Sequence, residues 1–409
     1  MYHKIIIIGG GASGLLASIA AKDNGQDIAI LEGSERIGKK ILTTGNGRCN
    51  ISNTNINENR YHSKNSGFMK NVLESFSVQK TVEIFNSLGL PLTTLDEGKM
   101  FPLSLQASSV LDILRLSIDE RKIPIYLNSK IIEIKSNNDK FKLYTTTGDI
   151  FECNKLIIAA GGKSLPSSGC DGSGFSLAKV MGHKIILPLP SLVQLKLDFN
   201  HLKALSGIKF VGSVDVIVDD ITERTEYGEI LYTDYGISGP PILALSREAS
   251  TAMSLNKKAE IKVDMFPNMN IKELKLFIEN HIGIFGYRDI CDIFIGIINK
   301  RMIPILLKSA GIVNIHSEGY ELNWNDINNI CLLLKGWTFK VTDTNSFKNS
   351  QVTCGGVDTK FISPDTLESK IVPGLFFCGE VLDVDGDCGG FNLQWAWSSG
   401  YIAGLSASK

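Results

Sequence analysis

The sequence has no pair of cysteines at a metal-binding or redox spacing. Its eight cysteines are scattered along 409 residues, and no Cys-x-x-Cys motif occurs among them. Scattered thiols favour reduced side chains over a disulfide framework or a zinc site, and they disfavour a thiol–disulfide reductase. The lack of such a pair therefore predicts a cytoplasmic protein without a metal site.

Strong net charge and long apolar runs are also missing. The formal net charge at pH 7 is −1, so no large basic field is available for nucleic acid or an acidic membrane. No apolar run approaches the roughly 20 residues that cross a bilayer. The six histidines lie in no motif, so the sequence nominates no general base and leaves the catalytic residues unknown. A small-molecule substrate is the expected partner, and the oligomeric state stays open.

The first 32 residues carry the strongest pattern that is present. The aliphatic run Lys4–Ile8 predicts a strand buried on both faces, and it leads directly into a Gly-x-Gly-x-x-Gly turn. A helix is predicted from Ser13 to about Asn24, followed by a second strand, Asp27–Leu31, that ends next to Glu32. Strand, glycines, helix, strand and acid in this order predict a dinucleotide-binding unit rather than a bare βαβ unit.

Each part of this unit has a physical task. Gly9 permits the tight turn, Gly11 lets a pyrophosphate approach the backbone, and Gly14 lets the helix pack on the strand. Free N–H groups at the helix start bind phosphate, and Glu32 accepts hydrogen bonds from an adenosine ribose. The predicted binding residues of this unit are Gly9, Gly11, Ala12, Ser13, Gly14, Glu32 and Gly33.

Two remote segments extend this site and indicate FAD. The predicted strand Lys155–Ala160 runs into a pair of glycines, and Gly374–Gly400 combines a strand of the form Gly-Leu-Phe-Phe-x-Gly-Glu with a glycine-rich helix start near Phe391. FAD is long, so an extended FAD needs contacts from remote segments that an NAD-only enzyme does not need. Glu380 is expected to face the ribityl or pyrophosphate region, and the helix start to face the flavin N1–C2=O edge. The alternative is an edge strand with a structural helix.

A polar loop after the second strand supplies further candidates, each with a plainer alternative. Arg48 is expected to neutralise the negative charge of the reduced flavin or of the pyrophosphate, and the alternative is a salt bridge to a surface acid. Lys40 either meets phosphate or is an ordinary exposed lysine. Cys49 is interpreted as a packing residue of the flavin loop rather than a thiol reductant.

The remaining candidates lie in the loops and near the C-terminal helix. Asp385 is expected to orient loop amides or ribityl hydroxyls, since the nearby carboxylates lack a metal-ligand set. Asn392 and Gln394 are expected to line the flavin edge. The other residues assigned to the cofactor are Gly45, Gly47, Asn50, Ile131, Ala160, Gly161, Gly162, Gly379, Gly390 and Leu393.

Composition divides the chain into two parts. An α/β, Rossmann-type FAD-binding domain is predicted over residues 1–188 and 351–409, with an inserted domain over 189–350. Strand-like alternation makes the insert β-rich, with a helical section at about 268–312 and a short helix after Gly239. A turn is predicted at Asn137-Asn138.

Several motifs resemble one flavoprotein family along nearly the whole chain. Thr44–Asn50, Pro190–Gln194, Val352–Val357 and the joined blocks Gly379–Gly386 and Gly389–Gln394 are similar, in order, to the BaiN/YhiN-like (aminoacetone oxidase-like) flavoproteins. The resemblance implies an FAD fold of the two-dinucleotide-binding-domain type with an inserted β-barrel-like domain that carries a helical part. It also implies a relation to flavin oxidoreductases of the succinate dehydrogenase and fumarate reductase kind.

The expected function is that of an FAD-dependent oxidoreductase, which moves a hydride between flavin N5 and a small organic substrate or NAD(P)H. The resemblance points both to NAD(P)H-linked reduction and to oxidation of a small amino ketone, and the sequence does not choose between them. A second glycine fingerprint for NAD(P)H is absent, so a nicotinamide electron donor has to dock transiently. The alternative is a flavoprotein with a structural FAD whose inserted domain binds a macromolecule.

Overall fold

The computed structural model describes residues 1–137 and 140–409, so the turn predicted at Asn137-Asn138 extends outside the described residues. The first segment has the strands β1 (Ile5–Ile8), β2 (Ile28–Leu31), β3 (Ser52–Asn53), β4 (Tyr61–His62), β5 (Leu92–Thr94), β6 (Lys99–Pro102), β7 (Ile125–Tyr126), β8 (Ile131–Asn137), β9 (Lys140–Thr145), β10 (Ile150–Cys153), β11 (Lys155–Ile158) and β12 (Ile185–Ser191). Its helices are α1 (Ala12–Asp23), α2 (Phe68–Ser75), α3 (Val78–Ser87), α4 (Ala107–Glu120) and α5 (Ser173–Val180).

The middle segment has the strands β13 (Leu195–Leu197), β14 (Lys209–Val218), β15 (Ile221–Tyr232), β16 (Gly236–Ser238), β17 (Ala259–Asp264) and β18 (Trp337–Thr344). Its helices are α6 (Leu202–Leu205), α7 (Pro240–Ser254), α8 (Ile271–Phe285), α9 (Ile290–Ile293), α10 (Ile303–Ser309), α11 (Trp324–Gly336) and α12 (Ser346–Asn349). The last segment contributes β19 (Val352–Val357), β20 (Leu375–Phe377), β21 (Asp385–Gly386) and α13 (Phe391–Ala407).

A five-stranded parallel sheet forms the centre of the nucleotide-binding part, with the strand order β20-β11-β1-β2-β7. Ile6 of β1 lies opposite Leu156 of β11 on one side and Ala29 of β2 on the other. All four β1 residues are buried because both faces of a parallel sheet are covered. This explains why the strand has no polar alternation, and it confirms the predicted Rossmann-type class.

The first helix and the last helix of this part pack with their backbones close together. A Cβ atom at Gly400 of α13 would lie 2.3 Å from the Ser13 carbonyl oxygen of α1. One turn further on, a Cβ atom at Gly404 would lie 2.2 Å from the Ala17 carbonyl oxygen. Only glycine fits at such distances, so this glycine pair of α13 sets how near the two helices come.

A closed six-stranded barrel forms the middle segment, in the order β13-β16-β15-β14-β17-β18. In β14, Val214, Val216 and Val218 are buried, and the residues between them are less so, which is the alternation of a sheet with one covered face. The barrel confirms the β-barrel-like insert that the resemblance implied, and α8 to α11 form its helical part. The helix predicted as short after Gly239 is α7, which is 15 residues long.

The chain forms two compact units, residues 1–190 with 350–409 and residues 191–349. The division predicted from composition placed these boundaries after residue 188 and before residue 351. No helix within the described ranges combines the length and the apolar character needed to cross a membrane.

Candidate cofactor site

Of the three glycines of the Gly-x-Gly-x-x-Gly motif, two are crowded by the protein itself and one faces open space. Gly9 has φ +106°, and a Cβ atom there would lie 2.5 Å from the Ala159 carbonyl oxygen. A Cβ atom at Gly14 would lie 2.0 Å from the Gly9 carbonyl oxygen. At Gly11, by contrast, a Cβ atom would have no described atom within 4 Å. The middle glycine therefore leaves room for a group from outside the protein.

The start of α1 offers hydrogen-bond donors to such a group. Gly11 is the residue before the helix, and no side chain within the described part of the chain caps this end. The first-turn N–H groups of an uncapped helix, together with the helix dipole, form an anion site. Open space and free donors thus occur at the same turn.

Glu32 is held in a fixed orientation beside this turn. Its Oε2 accepts the Gly10 N–H at 2.8 Å, and its Oε1 accepts the Ser34 N–H at 2.8 Å. A carboxylate has about four acceptor positions, so Glu32 retains capacity for two further donors. A Cβ atom at Gly33 would lie 3.4 Å from the Lys130 Cβ, so the residue that precedes Ile131 of β8 lies beside Gly33.

The glycines after β11 and β20 meet the same region. Gly379 has φ +77°, and a Cβ atom there would lie 2.4 Å from Ser13 Oγ at the start of α1. A Cβ atom at Gly162 would lie 2.8 Å from Glu380 Oε1, while Gly161 approaches Cys170. Ala160 lies next to the Gly9 turn, since a Cβ atom at Gly9 would be 3.1 Å from its Cα. Segments that are far apart in sequence thus converge on one helix start.

Glu380 bridges two of these segments through its own carboxylate. Lys40 Nζ donates to Glu380 Oε2 at 2.5 Å, and the Thr353 N–H donates to Oε1 at 2.8 Å. Burial lowers the pKa of the Lys40 ammonium, but the charges of Glu380 and Cys170 and the hydrogen bond to Glu380 together more than offset this, so the pKa lies above its ordinary value. Lys40 therefore forms an ion pair with Glu380. The sequence predicted either a phosphate contact or an ordinary exposed lysine, and neither includes this ion pair.

Lys40→Met is expected to destabilise the protein by about 1–3 kcal/mol at neutral pH, because it leaves half-buried Glu380 without its charged partner. The Lys40 pKa is raised in the folded state, so the stabilisation is complete below the ordinary value of 10.5 and is lost as pH rises through the folded pKa. Urea unfolding at pH 7 and pH 11 measures this. Lys39→Met, whose partner Glu35 is exposed, is the control and should cost under about 0.5 kcal/mol at either pH. An equal penalty for Lys40→Met at both pH values would contradict the ion-pair explanation.

The loop that carries Gly45 to Asn50 is tightly turned. Gly45 has φ +56° and Gly47 has φ +80°, and Cys49 adopts φ +59° although it is not a glycine. Cys49 is fully buried, and burial raises the pKa of its thiol to about 12. A buried neutral thiol fits its interpretation as a packing residue.

Asn50 and Arg48 differ in how their polar groups are used. Asn50 Oδ1 is buried without a hydrogen-bond partner in the described protein, and a Cβ atom at Gly390 would lie 2.9 Å from it. A buried, unpaired acceptor is costly unless another donor reaches it. The exposed Arg48 guanidinium lies 5.0 Å from the centre of the Phe101 ring, and no carboxylate of the described residues forms an ion pair with it. The salt-bridge alternative for Arg48 therefore has no partner there.

The polar side chains around the start of α13 mostly form hydrogen bonds with other groups of the protein. Gln394 is fully buried. Its Oε1 accepts a hydrogen bond from Ser52 Oγ at 2.6 Å, and its Nε2 donates to Thr81 Oγ1 at 2.8 Å. Asn392 Oδ1 accepts the Gly386 N–H at 2.8 Å, and its Nδ2 donates to the Gly386 carbonyl at 2.7 Å. Asp385 is buried, and Leu393 packs against the apolar core. A role of these four residues toward the flavin stays a prediction.

Sequence reasoning missed two residues of this region. Thr353 Oγ1 accepts the N–H groups of Lys163 and Ser164 at 2.8 and 3.1 Å, so it ties the loop after Gly162 to Glu380. Cys170 lies close to Gly161, and burial raises the pKa of its thiol. Both residues reach the site through tertiary contacts, and only the position of Thr353 inside a family-like motif could have pointed to it.

The parallel sheet, the glycine-rich turn and the uncapped helix start define a protein of the Rossmann-type α/β class. A family model described as the HI0933-like protein Rossmann domain matches residues 3–406, and the chain belongs to this family. A 3-dehydro-bile acid delta(4,6)-reductase of Clostridium scindens is 38% identical over 411 residues, which cover 100% of this chain and 99% of the relative. These matches confirm the BaiN/YhiN-like resemblance.

Two further comparisons place the chain among its relatives. A ribosomal RNA dihydrouridine synthase of Haemophilus influenzae is 30% identical over 413 residues, which cover 100% of this chain and 99% of the relative. The solved structure of 3-ketosteroid delta1-dehydrogenase from Sterolibacterium denitrificans, in complex with 1,4-androstadiene-3,17-dione, has a TM-score of 0.50 at 14% identity and covers 100% of both chains. The structural match shows a shared fold.

Proposed function

We propose that the chain binds FAD in an extended form and reduces a carbon–carbon double bond that is conjugated to a carbonyl group in a small molecule. The observation that carries the FAD assignment is the uncapped start of α1, where Gly11 faces open space between two tightly packed glycines. When bound, FAD supplies a hydride-transferring N5 atom. The protein binds the cofactor and the substrate and orients them relative to each other.

The proposed FAD contacts follow from the donors and acceptors described above. The N–H groups of Ala12 and Ser13 hold the pyrophosphate, and Glu32 uses its remaining acceptor positions for ribose hydroxyls. The unpaired Asn50 Oδ1 accepts a hydrogen bond from the cofactor, which relieves the cost of its burial. The start of α13 follows Gly390 and lacks a side-chain cap among the described residues, so its dipole favours negative charge there.

The substrate class is proposed from the relatives rather than from the site. The names of both the bile acid reductase and the dihydrouridine synthase describe reduction of a double bond in a molecule that carries a carbonyl group. Such a bond accepts a hydride at one carbon and a proton at the other, and NAD(P)H that docks transiently is the proposed source of the hydride. In the net reaction NAD(P)H is oxidised to NAD(P)⁺, and the double bond gains the hydride and one proton taken from water.

An RNA substrate is the second candidate, because the Haemophilus influenzae relative is named for ribosomal RNA. A net charge of −1 gives no general basic field for an RNA backbone. The greater identity to the bile acid reductase also favours a small molecule. The name of this relative also gives some weight to the alternative of a flavoprotein with a structural FAD whose inserted domain binds a macromolecule.

Anaerobic spectroscopy of the purified protein tests the proposal. We expect a yellow protein that NADH or NADPH bleaches within seconds, and that a 3-oxo-4,6-diene bile acid restores to the oxidised spectrum. Restoration by ribosomal RNA transcribed in vitro, without restoration by the bile acid, would favour the RNA candidate. Bleaching by aminoacetone, with peroxide formed on admission of air, would instead support an oxidase. A colourless protein that takes up no added FAD would overturn the cofactor assignment.

A further inference from the structure

Two loops of the helical part of the barrel unit are fastened side by side. The Ile290 N–H donates to the Ser317 carbonyl at 2.9 Å, and the Cys291 N–H donates to the Ile315 carbonyl at 3.0 Å. An antiparallel bridge also pairs Asp289 with Glu318. These backbone bonds fix the turn at the start of α9 against the loop before Gly319, so side chains from the two loops are held at constant separation.

Three chemically different metal ligands meet where these loops touch. The donor atoms of Asp289, Cys291 and His316 all lie within 4.8 Å of one another. His316 Nδ1 is 3.5 Å from Asp289 Oδ2 and 3.7 Å from Cys291 Sγ. Zn–S bonds of about 2.3 Å and Zn–N or Zn–O bonds of about 2.1 Å, set at tetrahedral angles, place the donors roughly 3.4–3.6 Å apart. The two separations from His316 are therefore close to those of ligands around one tetrahedral ion, and Asp289 and Cys291 lie within 4.8 Å of each other.

The ligand types narrow the choice of ion. A thiolate, an imidazole and a carboxylate form a mixed S, N, O set that suits Zn²⁺, whereas Mg²⁺ and Ca²⁺ select oxygen ligands. A further carboxylate lies nearby, since Asp292 Oδ1 is 3.8 Å from Cys291 Sγ, and it adds negative charge that favours a cation. His316 is largely exposed, so water can reach the remaining coordination position.

We propose that Asp289, Cys291 and His316 bind one Zn²⁺ ion, with water as the fourth ligand. The ion clips the two loops together outside the FAD-binding unit, so this site is independent of the proposed flavin chemistry. The sequence predicted no metal because Cys291 and His316 are 25 residues apart and belong to no spaced motif. The backbone pairing of the two loops is what brings them together.

Cobalt spectroscopy tests the site, because Co²⁺ replaces Zn²⁺ and its thiolate complexes absorb strongly. Full-length protein is treated with a chelator, desalted and titrated with Co²⁺, and the spectrum before addition is subtracted so that flavin absorbance cancels. We expect one equivalent of Co²⁺ to give a thiolate-to-cobalt charge-transfer band with the visible bands of tetrahedral cobalt, and Zn²⁺ to abolish both. Cys291→Ser should remove the charge-transfer band, and His316→Ala should weaken Co²⁺ binding at least about tenfold.

The control is His201→Ala, which removes another exposed histidine of the same unit and should titrate like the unchanged protein. Circular dichroism checks that each variant is folded. His316→Ala changes an exposed side chain and gives a separate answer if Cys291→Ser does not fold. No charge-transfer band at stoichiometric Co²⁺, or an undiminished band in Cys291→Ser, would overturn the proposal.

Discussion

Gly11→Leu is expected to lower the affinity for FAD by at least about a hundredfold while leaving the fold intact. The leucine side chain would project into the open space at the start of α1 and would keep a pyrophosphate from the first-turn N–H groups. Hydrogen bonds to charged groups contribute about 1.5–3 kcal/mol each, so the loss of two exceeds the roughly 2.7 kcal/mol of a hundredfold change. Gly11 has φ −86°, so leucine introduces no backbone strain there.

The FAD-to-protein ratio after desalting and a titration of flavin fluorescence measure this effect. Gly283→Leu is the matched control, because Gly283 lies in α8 of the other unit, and a Cβ atom there also meets no described atom within 4 Å. The control should keep one FAD per chain. If Gly11→Leu binds FAD as tightly as the unchanged protein, the phosphates do not lie at this turn.

Gly404→Val is expected to be the most destabilising single substitution considered for this chain. Its Cβ atom would lie 2.2 Å from the Ala17 carbonyl oxygen, so α13 has to move away from α1. Overpacking of this kind costs about 3 kcal/mol or more, because neither helix backbone can yield locally. For a unit of this size, that corresponds to a fall in the unfolding temperature of about 6–12 °C.

Differential scanning calorimetry can follow this change, since the chain has two units and one of them should be affected. Gly283→Val serves as the control, because it places the same side chain in a helix at a position with open space. It should leave the unfolding temperature of the FAD-binding unit unchanged. A Gly404→Val protein as stable as the unchanged chain would show that the close approach of the two helices contributes little to stability.

The nucleotide-binding fold could be predicted because its signals are local. The run of isoleucines in β1 and the glycines that follow it determine a buried strand and a tight turn within a few residues. In the middle segment, alternation of apolar and polar residues predicted strands but not how they pair. The closed barrel was expected only from the family resemblance. The helix α11 was missed although Ile327, Ile330, Cys331 and Leu334 recur at helical spacing after a capping box. The length of α7 was underestimated because much of its buried face consists of small residues such as Ser246, Ala249 and Ser250, which weaken the apolar pattern.

The side-chain partners in the candidate site could not be predicted, since they depend on contacts between remote segments. Lys40 and Glu380 are separated by 340 positions, and Thr353 reaches Glu380 only through the folded chain. Glu380 and Gln394 were both identified as site residues. In the structure, their polar atoms already have protein partners. The spacing of residues in the sequence does not predict such partners.

The packing of α1 on α13 also determines when the FAD-binding unit can be completed during synthesis. The ribosome makes α1 before the barrel unit, but the edge strand β20 and α13 only after the whole barrel unit. At ordinary elongation rates the interval is on the order of tens of seconds. By the end of that time the barrel unit has all of its strands, while the buried face of α1 and one edge of the parallel sheet are still uncovered. Chaperone binding to the nascent chain is therefore expected to concentrate on the N-terminal segment and to end when the C-terminal helix emerges.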